Sequence, residues 1–83
     1  MKPTKEEHKQ AQLKILEFLF KQEKSTHIDT LCDLIKQTKN ETKYHIEQLR
    51  EQRLIQNVSK GTGGVTWTEY EISEKGRKRI MEG

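Results

Sequence analysis

Apolar residues recur along the first quarter of the chain with the period of a helix. Leu13, Leu16 and Phe20 stand at i, i+3 and i+7, while Ala11, Ile15 and Phe18 stand at i, i+4 and i+7, so two stripes share one helix. With Leu19 they cover an arc of roughly 200°, about twice what a surface helix needs to reach one core. Two arrangements accommodate the excess: a small three-helix core wraps this helix closely, or Ala11, Ile15 and Phe18 form a homodimer contact. Thr4 and Glu7, in capping-box spacing behind Pro3, mark the start of the helix, and the polar stretch from Lys21 to Thr26 ends it.

Ile28, flanked by Thr26 and His27, reads as a very short strand, and Asp29 as the N-cap of a second helix of about two turns carrying Leu31, Leu34 and Ile35 inward. Thr38 with Glu41 repeats the capping-box spacing, which opens a third helix at Lys39 or Asn40 and runs it to Arg53, with Thr42, Ile46 and Leu49 on its inward face. There the period changes. Leu54, Ile55 and Val58, then Val65, Trp67, Tyr70 and Ile72, make two strands of a hairpin. Gly61, Thr62, Gly63 and Gly64 between them predict a mobile loop, since small residues and positive φ leave nothing to hold it. Ser73 caps a last short helix from Glu74 to Met81, which Ile80 returns to the core and Gly76 weakens by roughly 1 kcal/mol relative to Ala. The expected order is helix, strand, helix, helix, strand, strand, helix, an α+β class chain of 83 residues in a single domain spanning 1–83.

Composition agrees with one folded unit. Leu, Ile, Val and Phe are 18 of 83 residues and the net charge is only +3, which favours a packed core over disorder. The length holds one core and no second domain. No apolar run approaches the ~18 residues of a membrane span and the start of the chain is charged, so the expectation is a soluble, cytoplasmic protein with no membrane partner. One Cys, Cys32, excludes an internal disulfide and a Cys pair for zinc, and His8, His27 and His45 lack metal-ligand spacing. No metal and no cofactor are expected. No nucleophile elbow or paired carboxylates suggest an enzyme, the glycine-rich turn lacks the Lys-Ser/Thr ending of a nucleotide loop, and no small-molecule site is evident.

Two short helices joined by a tight turn and followed by a hairpin form the order of a winged helix-turn-helix, and three segments carry the resemblance. Ile28 to Ile35 resembles the first helix of the motif, and Thr42-Lys43-Tyr44-His45-Ile46-Glu47-Gln48-Leu49-Arg50-Glu51-Gln52-Arg53-Leu54-Ile55 is similar to the recognition helix and strand entry of ArsR-like and MarR-like bacterial repressors. Tyr70-Glu71-Ile72-Ser73-Glu74-Lys75-Gly76-Arg77 resembles their exit from the wing. The resemblance spans about residues 8–80 and implies a three-helix core, a β-hairpin wing and a short C-terminal helix. The chain departs from the family pattern at Lys36 and Gln37, where Gly and an apolar residue are usual, and at Arg53, where Gly is usual and a left-handed backbone is implied. Cys32 lies a few residues after the paired metal-sensing cysteines of ArsR-like repressors and reads as a small core residue.

The implied function is a regulator of transcription that binds double-stranded DNA, with helix 39–53 in the major groove, wing 58–67 on the backbone, and a homodimer as the assembled form. Asn40, Lys43, Tyr44 and Glu47 project away from Ile46 and Leu49, and their chemistry suits base edges: amide to adenine, ammonium to guanine or phosphate, phenol to phosphate or a thymine methyl, carboxylate to a cytosine amino group. Lys39, Arg50 and Lys60 offer charge to phosphates. A pI near 9.1 permits such a partner without demanding it. The dense run Lys75-Gly76-Arg77-Lys78-Arg79 is either a further DNA contact or a solvated face. Trp67 supports the wing against the recognition helix or stacks on a partner. The rival reading is a winged-helix adapter that binds protein through the third helix, or through Trp67 and the apolar excess of the first, and does not bind DNA.

Overall fold

The computed structural model describes residues 5–22 and 24–82. The elements run α1 (Lys5–Lys21), β1 (Thr26–His27), α2 (Ile28–Ile35), α3 (Lys39–Glu51), β2 (Ile55–Thr62), β3 (Val65–Ile72) and α4 (Glu74–Glu82). The order is the one the periodicities predict. Thr4, half of the expected first capping pair, and Pro3 lie outside the described residues.

Two boundaries differ by a residue or two, for local reasons. Ile28 is the first residue of α2 and is buried, and its N-cap is His27, whose Nδ1 accepts from the backbone N–H of Asp29 at 3.1 Å. An imidazole thereby does the work expected of the Asp29 carboxylate. The third helix stops at Glu51 instead of Arg53. Arg53 turns to φ 62°, its N–H bonds the Arg50 carbonyl at 2.9 Å and the Leu54 N–H the Leu49 carbonyl at 3.0 Å, which is the Schellman closure with Arg where Gly is favoured. Lys36 does the same at the end of α2, with φ 55° and the following Gln37 N–H on the Cys32 carbonyl. Long cations thus take the left-handed backbone at both turns.

At the start of α3 the capping box forms as expected. Thr38 Oγ1 accepts from the Glu41 N–H at 3.2 Å and the Glu41 carboxylate accepts from the Thr38 N–H at 3.3 Å. Thr42, a polar residue on the inward face, is fully buried and donates its hydroxyl to the Thr38 carbonyl at 2.8 Å, so its burial leaves no unpaired donor.

The sheet is antiparallel in the order β1-β3-β2. Pairing between β2 and β3 continues from Ile55↔Ile72 to Thr62↔Val65. The expected mobile loop is therefore only a two-residue turn. Gly63 and Gly64 take φ +54° and +84°, the double positive φ that a tight hairpin demands, while Gly61 and Thr62 belong to the strand.

Ile15, Leu16 and Leu19 of α1 meet Ile28, Leu31, Ile46 and Leu49 of the motif helices, closed from the sheet side by Leu54, Ile55 and Ile72. The second stripe of α1 faces this core too. Ile15 is 0% and Ala11 7% exposed, with Phe18 half-buried against the same cluster. The chain's own core thus takes up Ala11 and Ile15, and of the expected dimer contact through Ala11, Ile15 and Phe18 only Phe18 keeps partial exposure.

α4 approaches the wing root closely. A Cβ on Gly76 would collide with the Leu54 carbonyl oxygen and stand 2.7 Å from Ile72 Cγ1. Gly76 is therefore a packing requirement, a role its helix propensity does not reveal. Ser73 fastens the same corner, donating its hydroxyl to the Arg53 carbonyl at 2.6 Å and accepting from the Gly76 N–H at 3.1 Å. Among the described residues no helix is long and apolar enough to cross a membrane.

Candidate nucleic-acid interface

Burying Thr42, Ile46 and Leu49 turns the opposite side of α3 to solvent. Lys39, Asn40, Lys43, Tyr44, Glu47 and Arg50 are all exposed, and the helical period brings Asn40, Lys43, Tyr44 and Glu47 onto one face. Lys60 is exposed on β2 of the wing, opposite Trp67 in the ladder. The seven residues thus divide between two projecting elements, six on the helix and one on the hairpin.

Two of the six are paired with each other. Arg50 donates to Glu47 at 2.9 Å, an exposed i, i+3 ion pair. The pair offsets the negative charge of Glu47 on the outward face and spends part of the charge Arg50 was expected to give a phosphate; being exposed, it exchanges cheaply for another partner.

Tyr44 does not project freely. Its ring stacks on His45 at 5.6 Å between centroids and 14° between planes, and His8 of α1 stands edge-on to Tyr44 at 5.6 Å and to His45 at 5.2 Å. His45, 2% exposed, is the packed histidine its register suggests, and both ring nitrogens have partners. The Gln12 amide stands 3.2 Å from Nδ1 and Gln37 Oε1 2.9 Å from Nε2. The set is satisfied by a neutral ring accepting from Gln12 and donating to Gln37. Burial holds the His45 pKa below 6.5, the nearby His8 lowers it further and the Glu41 carboxylate opposes both. Glu41 is itself held below 4.5, chiefly by the Thr38 side-chain hydrogen bond and then by the Thr38 backbone. His8, Gln12 and Gln37 were not legible as part of this end of α3. The contacts join α1 to α3 across more than thirty residues, and only His8 and Gln12 standing one helical turn apart hinted at a shared face.

On the wing, Tyr70 faces α3. Burial raises its pKa above 10, Arg50 lowers it and Glu47 raises it, so the phenol sits near that ion pair. Trp67 is on the other face of β3 and is half-buried. Its Nε1 donates to Glu69 at 2.6 Å, and Glu69 also accepts from Ser25 Oγ at 2.6 Å, which keeps the Glu69 pKa below 4.5, with Ser25 the larger cause. Support of the wing against α3 therefore falls to Tyr70, whereas Trp67 braces the hairpin toward the turn ahead of β1. Strict alternation separates Trp67 from Tyr70 but does not say which of the two faces meets α3.

Among the described residues no group of three or more His, Cys, Asp or Glu side chains could hold a metal ion. Cys32 is half-buried beside the core.

No protein-family model matches the chain, and no curated protein matches it by sequence. Solved structures do resemble it. A crystal structure from Thermoplasma acidophilum, described provisionally as a transcriptional regulator, superimposes with a TM-score of 0.74 at 20% identity, covering 98% of this chain and 81% of the other. The solution structure of the DNA-binding TubR fragment from Clostridium botulinum superimposes with a TM-score of 0.66 at 19% identity, covering 99% and 98%. The fold is a winged helix-turn-helix: α2 and α3 are the motif helices, and β2 and β3 the wing.

Proposed function

We propose that the chain is a DNA-binding regulator that docks the N-terminal half of α3 in a major groove and lays the wing along the neighbouring backbone. The observation that carries this reading is the single outward face of α3, where Asn40, Lys43 and Tyr44 stand exposed at the capped end of a helix whose other side is sealed in the core. Asn40 and Lys43 read base edges, and Lys39, Arg50 and Lys60 meet phosphates. Tyr44, pinned by His8 and His45, presents one ring edge at little entropic cost on binding. The DNA-binding TubR fragment, similar over nearly its whole length, supports the same use of the fold.

Fluorescence anisotropy of a labelled random duplex tests this at about 50 and 200 mM salt. Neutralising 6 to 10 phosphates costs about 10³ to 10⁵ in affinity over that range, so binding at the lower salt should collapse at the higher. Absence of binding at the lower salt overturns the reading.

A further inference from the structure

A second surface lies away from the outward face of α3. Two adjoining depressions of about 180 and 440 Å³ share Leu54 and Arg79, so they form one trough between α1, the end of α3 and α4. One helical stripe at i, i+3, i+4 and i+7 lines each part: Lys9, Gln12, Leu13 and Leu16 of α1 line the first, Lys75, Lys78, Arg79 and Glu82 of α4 line the second, and Arg79 with Leu54 joins the two. Leu49 of α3 and Gln52, the residue that caps its C-terminus, complete the first depression, and Leu49 lies across the helix from Asn40 and Tyr44.

The chemistry of the trough is mixed in a particular way. Its floor is leucine, and Leu13 is 50% exposed, the only large apolar side chain lining the trough that gives half its surface to solvent. Its rim is basic, with Lys9, Lys75, Lys78 and Arg79 against Glu82 as the one acid among the described lining residues. Duplex phosphates have no use for an exposed leucine between two helices. A second copy of this chain would bring basic rim against basic rim. A helix with leucines on one side and carboxylates flanking them satisfies both features, apolar side chains on the floor and acids on the cations, in the manner of helix-in-groove recognition.

We propose that this trough is a docking site for an acidic amphipathic helix of a partner protein. It links the basic side chains of α4 to the exposed Leu13 through Arg79, which lines both depressions, and it does not depend on α3 binding DNA.

The test uses the full chain, labelled with ¹⁵N, and a synthetic peptide of about 16 residues, roughly four helical turns, with leucines at i, i+3, i+4 and i+7 and glutamates between them. Saturable amide shifts are expected along Leu13, Leu54 and Arg79, with α3 residues 39–44 unmoved. The double variant Lys78→Glu with Arg79→Glu should weaken the peptide at least about tenfold, the loss of two paired charges. Because those side chains are exposed, the variant should keep the dispersed spectrum of a folded chain; if it does not, Leu13→Glu supplies the same comparison from the other wall. The proposal is overturned by no saturable shift up to about 1 mM peptide, by equal affinity for a peptide with lysines in place of the glutamates, or by a DNA duplex moving these amides where the peptide does not.

Discussion

At the scale of single residues, His45 is a structural histidine with a chemical consequence. Its neutral ring is matched on both nitrogens and burial holds its pKa below 6.5, so protons bind the unfolded chain more readily than the folded one. Stability should therefore be constant above about pH 7 and fall as the pH drops below 6.5 toward the lower folded value. Glu41 and Glu69, both held below 4.5, add their losses only in a more acidic window. Denaturant melts between pH 7.5 and 5 should show the decline, and His45→Gln should flatten it. The left-handed residues make the opposite kind of prediction. Arg53 sits at φ 62°, about 1–2 kcal/mol of strain, partly offset because Gly costs more chain entropy. Arg53→Gly should gain about 0.5–1 kcal/mol, read as a rise in melting temperature of a few degrees.

At the scale of elements, α3 was legible because its signals are local. Thr38, Glu41, Thr42, Ile46 and Leu49 specify start, cap and inward face within one helix, and the outward face follows by subtraction. The Tyr44–His45–His8 cluster was not legible, because helical spacing says nothing of which residue of α1 arrives beside α3. Gly76 was misjudged for a related reason: propensity scores the helix alone, while the Leu54 carbonyl it accommodates belongs to the wing root. These contacts change what substitutions on α3 mean. Tyr44→Ala removes ring contacts worth about 0.5–1.5 kcal/mol along with any contact to DNA, so it confounds stability with binding. Lys43→Ala is the cleaner probe. It should leave the circular dichroism melt unchanged while weakening a duplex and lowering the salt slope by about 1; an unchanged slope would remove Lys43 from the contact set.

At the scale of the whole molecule, α1 is the post around which the other helices pack. Its wide apolar arc left two assemblies open in the sequence, since a buried stripe and an interface stripe look alike in one dimension. In the fold, Ile15 and Ala11 of the second stripe are enclosed by the chain itself. Phe18→Glu should accordingly lower stability by roughly 2 kcal/mol, the value of burying a large apolar side chain, and sedimentation should show no dimer dissociating in its place. The residues proposed for DNA and those lining the proposed trough do not overlap, and Gln12, which lines the trough, bonds His45 beside Tyr44.

β3 has one more property that follows from its place in the sheet. It pairs with β2 along its whole length but with β1 only at Glu69 and Tyr70, so one half stands free beyond the body while the other is built into it. Mechanically the hairpin is a cantilever, clamped where Ile72 enters the core and Ser73 fastens the corner. A load at Gly63 and Gly64 bends the strand progressively instead of swinging it on a hinge. Amide exchange should accordingly slow step by step from the turn to Ile72, and an abrupt boundary partway along would mean that the wing pivots.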